Sequence, residues 1–247
     1  MGKPKLIFAT LIPQDPTKRN ELKCITRILK EWDSVKDNYE SLKIIIGSAH
    51  QESLNKAREV LRMSLHDFAV DIINAEFVYC PFKMHPLMSE IRAHEIGFSK
   101  RFLHQYIMDR CYSDFLYWID SDMYIPFKEV HICALRLTHS SFFITLPYCV
   151  RDGMSAPPEQ FGAYVMNTSM LTPDTLKTMY QTDFKQKTIC RIGAPDCKFK
   201  EALIIAGGQE IRADEIYSEH YSDDEKTEDG KRYVFIYSAG SCKRKVW

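Results

Sequence analysis

Glycine is scarce in this chain, at 10 of 247 residues, and neither a Walker phosphate loop nor a Gly-x-Gly-x-x-Gly fingerprint occurs. Gly-x-Ser-x-Gly and His-Glu-x-x-His are also absent. The commonest P-loop, dinucleotide, serine-hydrolase and zinc-protease chemistries are therefore excluded. Long apolar runs are missing too, since no stretch approaches the roughly 20 residues needed to span a bilayer. The N-terminal apolar run, residues 6–12, is too short for a signal peptide and has no small-x-small cleavage site, so it reads as a first strand. Gly2 would suit myristoylation, but Leu6 stands where that motif needs Ser or Thr. There is no excess of either charge, with 33 basic and 33 acidic side chains, so no whole-molecule field draws a polyanion and no nucleic-acid partner is expected. The eight cysteines are scattered without a Cys-x-x-Cys pair or a short Cys/His cluster. They are expected to be buried thiols rather than disulfides, which with the missing leader implies a soluble, cytoplasmic chain.

What is present is ordinary globular composition, 45% hydrophobic and 27% charged, long enough for one substantial core. Strand and helix signals alternate. Residues 5–12 read as a buried strand stopped by Pro13, and Asp15-Pro16 offers a cap for a helix with Leu22, Ile25, Leu29 and Trp32 on one face. Residues 42–46 and a helical pattern through Leu54, Ala57 and Leu61 repeat the unit. A third strand is expected within residues 69–78, a helix from Ser89 to about Arg110, a strand over 115–119, a helix from Pro126 and a strand over 142–150. Further on, strands are expected at 161–166, 201–206 and 232–237, a short helix after Thr172-Pro173, and a helical start to the acidic segment 214–229. This alternation predicts an α/β fold whose mostly parallel sheet binds ligands beyond the carboxyl ends of its strands.

One such end is chemically distinctive. The apolar run Phe115-Leu-Tyr-Trp-Ile119 stops at Asp120-Ser121-Asp122. Like charges there repel and lose hydration, so the pair calls for a cation or dense hydrogen bonding. Oxygen ligands of this kind suit Mg2+ or Mn2+, which complete their coordination with water and substrate phosphates. The bland alternative is that both carboxylates cap the helix near Pro126 and lie in solvent.

The first strand at Ile7 to Pro13, the helix from Ser89 leading into Phe-Leu-Tyr-Trp-Ile-Asp-Ser-Asp-Met-Tyr-Ile-Pro126, and Phe-Gly-Ala-Tyr-Val-Met-Asn167 together resemble a nucleotide-sugar-dependent glycosyltransferase of GT-A fold. The resemblance is strongest over residues 89–126. It implies a single Rossmann-like GT-A domain over 1–247, with a nucleotide-binding half, 1–125, and an acceptor-side half, 126–247. It also implies transfer of a sugar from a nucleoside-diphosphate sugar to an acceptor that the sequence leaves unnamed. Asp120 would face the ribose and metal, Asp122 would be the main ligand of Mn2+ or Mg2+, and Ser121 would add a hydrogen bond. Thr10, Leu11 and Pro13 would hold the nucleoside, and Arg92 the diphosphate. Asp214 and Glu215, read as the start of a helix, would supply the catalytic carboxylate, with Asp223-Asp224 as the alternative pair. The expected late histidine ligand is missing from the tail, which leaves His220 as its one substitute. The basic run Lys243-Arg244-Lys245 reads as a frayed tail, with folding over the diphosphate as its alternative; core packing is the default for the aromatics, with Tyr148, Tyr164 and Trp118 near strand ends as the candidates for sugar stacking. Two competing readings stay open: a sugar-nucleotide nucleotidyltransferase, disfavoured because residues 13–19 contain no glycine, and a noncatalytic interaction protein on the same scaffold.

Overall fold

The structure is a computed structural model and describes residues 2–68, 70–80, 91–137, 141–150, 161–178, 195–227 and 229–246. Its centre is a seven-stranded sheet in the order β3-β2-β1-β4-β7-β6-β8. The strands are β1 (Lys5–Leu11), β2 (Ser41–Ser48), β3 (Glu76–Tyr79), β4 (Phe115–Ile119), β6 (Phe142–Thr145), β7 (Ala163–Asn167) and β8 (Gln209–Arg212). Strands β3, β2, β1 and β4 run parallel, as do β6 and β8, while β7 is antiparallel to both its neighbours. The expected α/β class with a mostly parallel sheet is what the chain forms.

Burial on both faces explains the near-continuous apolar strands. From β1, Leu6 and Phe8 face one core with α1 (Glu21–Lys30), α2 (Gln51–Leu65) and α4 (Phe127–Leu135). Ile7 and Ala9 face the other, with α3 (Ile91–Arg110), α5 (Pro173–Thr178) and α6 (Pro195–Ile205). On this second side Trp118, Tyr164, Phe161 and His104 form a buried ring stack that Phe199 meets edge-on. Trp118 and Tyr164 are therefore core residues, not sugar-stacking surfaces.

A smaller antiparallel sheet, in the order β11-β10-β9-β5, completes the fold: β5 (Met123–Tyr124), β9 (Tyr217–Lys226), β10 (Arg232–Ser238) and β11 (Ser241–Val246). Several expectations change here. The acidic segment expected to begin as a helix is a turn at Asp214 and Glu215 followed by β9, because pairing with β5 and β10 overrides its weak strand propensity. The run 201–206 is not a strand but the last turns of α6 and the residue after it, since a short apolar run fits either period. Helix α1 starts at Glu21 after Asn20 at φ 62°, not at Asp15, whose carboxylate instead accepts from the Thr17 amide and hydroxyl in a local turn. The basic run Lys243 to Lys245 lies in the hairpin strand β11 rather than a frayed tail, with Arg244 over the Tyr233 ring.

The cysteine expectation also changes. Cys24, Cys80 and Cys133 are buried free thiols and Cys111 is partly exposed, but Cys149 and Cys242 form a disulfide that pins β11 to the segment after β6. Cys190 and the Cys197 side chain lie outside the described residues. The bridge closes 93 residues of sequence. Reduction, or Cys242→Ser, is expected to lower unfolding stability by about 4 kcal/mol, checked by denaturant titration with and without a thiol reductant. No described helix is long and apolar enough to cross a membrane.

Candidate functional site

The site is built where the chain leaves one sheet for the other. The Asp120 amide at the end of β4 donates to the Gly162 carbonyl at 2.8 Å, and the Met123 amide donates back to the Asp120 carbonyl at 3.0 Å, making a tight turn. Met123 and Tyr124 then pair with His220 and Glu219 of β9. The Asp122 carbonyl accepts the Tyr221 amide at 2.9 Å. The Asp-Ser-Asp segment is thus fixed at both ends by backbone bonds, one to each side of the sheet junction.

Each carboxylate has a cationic partner. Asp120 Oδ1 lies 2.8 Å from Lys100 Nζ, and the lysine side chain is 5% exposed against 30% for the aspartate. Asp122, 16% exposed, accepts from Arg19 Nη1 at 3.1 Å, with His220 Nε2 3.8 Å from the same oxygen. His220 Nδ1 is 2.8 Å from the Cys149 carbonyl. A carbonyl only accepts, so Nδ1 carries the proton and Nε2 is the nitrogen turned to Asp122. Burial alone would push Asp122 upward, but His220 and Arg19 outweigh it and hold the carboxyl at about 2. Burial pulls His220 down, and the Asp122 carboxylate overcomes it and raises the imidazole. Buried Glu21 is raised, first by desolvation, with the Asp122 charge adding to it.

Carboxylate oxygens are the donors that Mn2+ or Mg2+ prefers, and the His220 Nδ1 bond to a backbone carbonyl is the kind of outer-shell support that ligating imidazoles have. The carboxylates thus suit such an ion in donor type, while both are already paired with protein cations. Among the described residues no group of three or more His, Cys, Asp or Glu side chains makes a metal cage on its own. Remaining ligands would have to come from phosphate oxygens and water, as is usual for Mg2+.

At the carboxyl ends of the parallel strands a cavity of about 390 Å³ is lined by residues 49–53 with Gln14 and Tyr79. Ser53 Oγ donates to the Gln14 carbonyl at 2.6 Å and Ser48 Oγ to the Ile12 carbonyl at 3.0 Å, so the ends of β1 and β2 are tied into one wall. Of the residues expected there, Leu11 ends β1 and Pro13 precedes Gln14 in the same loop. Thr10 is fully buried, and its hydroxyl has no hydrogen-bond partner among the described residues.

The sequence-derived set is thus only partly assembled. Asp120, the buried Ser121 and Asp122 sit together at the junction. Arg92 lies in α3, but its side chain is outside the described residues. Asp214 and Glu215 occupy the turn between β8 and β9, not a helix start. Asp214, 61% exposed, accepts from Arg212 Nε at 2.6 Å and from the Tyr237 hydroxyl, while Glu215 pairs with Arg136. The side chains of Asp223 and Asp224 lie outside the described residues. Arg19 and Lys100 were missed. Lys100 carried a signal, because it falls three residues before Leu103 and seven before Ile107, on the buried face of α3. For Arg19, in an irregular loop, the sequence holds none.

No protein-family model and no curated protein matches the chain. Solved structures do. The mannosyltransferase PcManGT from Pyrobaculum calidifontis in complex with GDP-Man and Mn2+ aligns at 12% identity over 86% of this chain and 55% of its own, with a TM-score of 0.47. TarS from S. aureus, residues 1–349, aligns at 14% identity over 79% and 54%, with a TM-score of 0.46. The 4-diphosphocytidyl-2C-methyl-D-erythritol synthase from Anaerococcus prevotii aligns at 7% identity over 84% and 87%, with a TM-score of 0.43. The chain spans about half the length of the first two. With scores below 0.5 throughout, these likenesses carry no functional argument.

Proposed function

We propose that this protein is a glycosyltransferase that takes a sugar from a nucleoside-diphosphate sugar. The observation that carries the reading is the Asp-Ser-Asp turn at the end of a central strand, held by Lys100, Arg19 and His220 on a sheet whose parallel strands end at an open cavity. Asp122 with His220, and Asp120 beside them, would hold Mn2+ or Mg2+, which would neutralise charge on a departing diphosphate. The cavity at the ends of β1 to β3, with Gln14, His50, Ser53 and Tyr79 in its wall, receives the nucleoside. Lys100 fixes one Asp120 oxygen and so sets where the other points, a preorganisation that favours the transition state only if it is in place before donor binding. Asp214, exposed in the turn after β8, is the proposed acceptor-side base, a role that requires hydrogen-bond reach to the acceptor hydroxyl.

The test is a thermal-shift panel of UDP, GDP and their sugar conjugates, with and without Mn2+. One base is expected to raise the melting temperature and Mn2+ to enlarge the shift. A ligand at 100 times its dissociation constant adds about 2.7 kcal/mol. No shift with any nucleotide would leave a noncatalytic scaffold. Pyrophosphate release from a nucleoside triphosphate would instead establish the nucleotidyltransferase reading, which Arg19 favours in one respect by bringing a cation from the loop after β1 to the acidic turn.

A second expected outcome concerns Gly162. A Cβ there would stand 2.9 Å from Asp120 Oδ2 and 3.0 Å from the Tyr148 hydroxyl. Gly162→Ala is expected to cost about 1–3 kcal/mol of stability. It should also weaken nucleotide binding about tenfold by displacing Asp120. Melting and nucleotide titration of the same sample check both.

A further inference from the structure

Asp122 is already engaged by one cation at the place where the proposed function needs another. Its Oδ2 already accepts from Arg19 Nη1 at 3.1 Å, with both side chains largely buried, and the same oxygen faces His220 Nε2. A guanidinium and a divalent ion on one carboxylate repel each other, so a cation reaching Asp122 competes with Arg19. The displaced guanidinium would still be partly desolvated. It comes from an irregular loop between β1 and α1, with the Arg19 amide held by Glu21 Oε2 at 2.7 Å. That anchor keeps the side chain near the junction rather than letting it withdraw.

We propose that Arg19 is a resident counter-cation that occupies Asp122 until a diphosphate arrives, then moves its charge to the phosphate oxygens and so makes cation uptake depend on the diphosphate. This rests on the glycosyltransferase reading for the identity of the anion, but not for the competition at Asp122. The chemistry is a change of ion partners with no covalent step. The guanidinium exchanges one carboxylate oxygen for phosphate oxygens, which its planar fork matches bidentately. The carboxylate exchanges the guanidinium for the ion. Linkage then requires that the diphosphate and the ion raise each other's affinity by the same factor, and Arg19 contributes to that factor from both sides. Arg19 is thus a positioning residue for donor loading, and its role is read in binding as well as turnover.

The experiment is a Mn2+ titration of wild type, Arg19→Gln and Arg19→Lys, followed by the loss of the free-ion spin-resonance signal, first with Mn2+ alone and then with UDP or GDP. Arg19→Gln is expected to bind Mn2+ alone about tenfold more tightly than wild type, because Asp122 is uncovered. At saturating Mn2+ it should bind the nucleoside diphosphate about tenfold more weakly. Arg19→Lys, which keeps the charge without the fork, should fall between the two in both measurements. Asp122→Asn should abolish the gain in the Arg19→Gln background. Equal or weaker Mn2+ binding by Arg19→Gln, or no Mn2+ binding by either protein, overturns the proposal. Since the first arm contains no nucleotide, tighter Mn2+ binding by Arg19→Gln with no nucleotide bound by any variant would uphold the competition and sink the transferase reading instead.

Discussion

Asp122→Asn is expected to abolish the Mn2+-dependent part of any nucleotide-induced thermal shift and to reduce sugar transfer by at least about 100-fold, the scale of removing a preorganised charge from a reacting centre. The same substitution is expected to destabilise the fold. Asp122 is a buried anion shared by Arg19 and His220, and removing one member of a buried pair leaves the others uncompensated, at about 3–5 kcal/mol. The observed loss should fall toward the lower end, because Arg19 is partly exposed and His220 can shed its proton. Denaturant unfolding reports the stability, and nucleotide titration of the folded variant reports the site. If Asp122→Asn kept the full Mn2+ effect, the ion would be held elsewhere and the role given to this turn would be wrong.

The second large effect is on acid stability and comes from His104, away from the acidic turn's own side chains. Burial lowers this imidazole from 6.5 to about 3, with the nearby Lys100 charge opposing protonation and the Lys100 carbonyl bond acting the other way. The ring stacks on Trp118 at 4.4 Å and bonds the Lys100 carbonyl and the Tyr164 hydroxyl. It is neutral in the folded chain and protonates freely in the unfolded one. As pH falls below 6.5 the unfolded state therefore binds the extra proton. Stability should drop by about 1.4 kcal/mol for each pH unit until the folded imidazole itself titrates near 3. Denaturant unfolding at pH 7, 5.5 and 4.5 checks the slope, and His104→Gln, which keeps hydrogen-bonding capacity without the charge, should flatten it. A wild-type slope near zero across that range would mean the imidazole is not held neutral by the core.

The alternating units were legible because their signals are local. Period-two and period-3.6 apolar patterns need only neighbouring residues, and β1, β2, α2, β4 and α4 fall where those patterns put them. Errors appear where tertiary pairing outweighs local preference. The charged run that becomes β9 gains its strand from β5 and β10, and the apolar end of α6 fits either period until its surroundings choose. The turn carboxylates stand out for a similar local reason, since charge directly after a buried strand is visible in a short window.

Sequence alone determined the α/β class and marked Asp120-Ser121-Asp122 as the place to look, because both follow from patterns within a few residues. Only the tertiary structure decided which cations meet those carboxylates. Arg19 reaches Asp122 across 103 positions, Lys100 reaches Asp120 from the buried face of α3, and His220 arrives through the Met123–His220 register between two strands. The Cys149–Cys242 bridge is of the same kind. Such meetings are fixed by how the sheets pack and in which register, and no short stretch of chain contains that information.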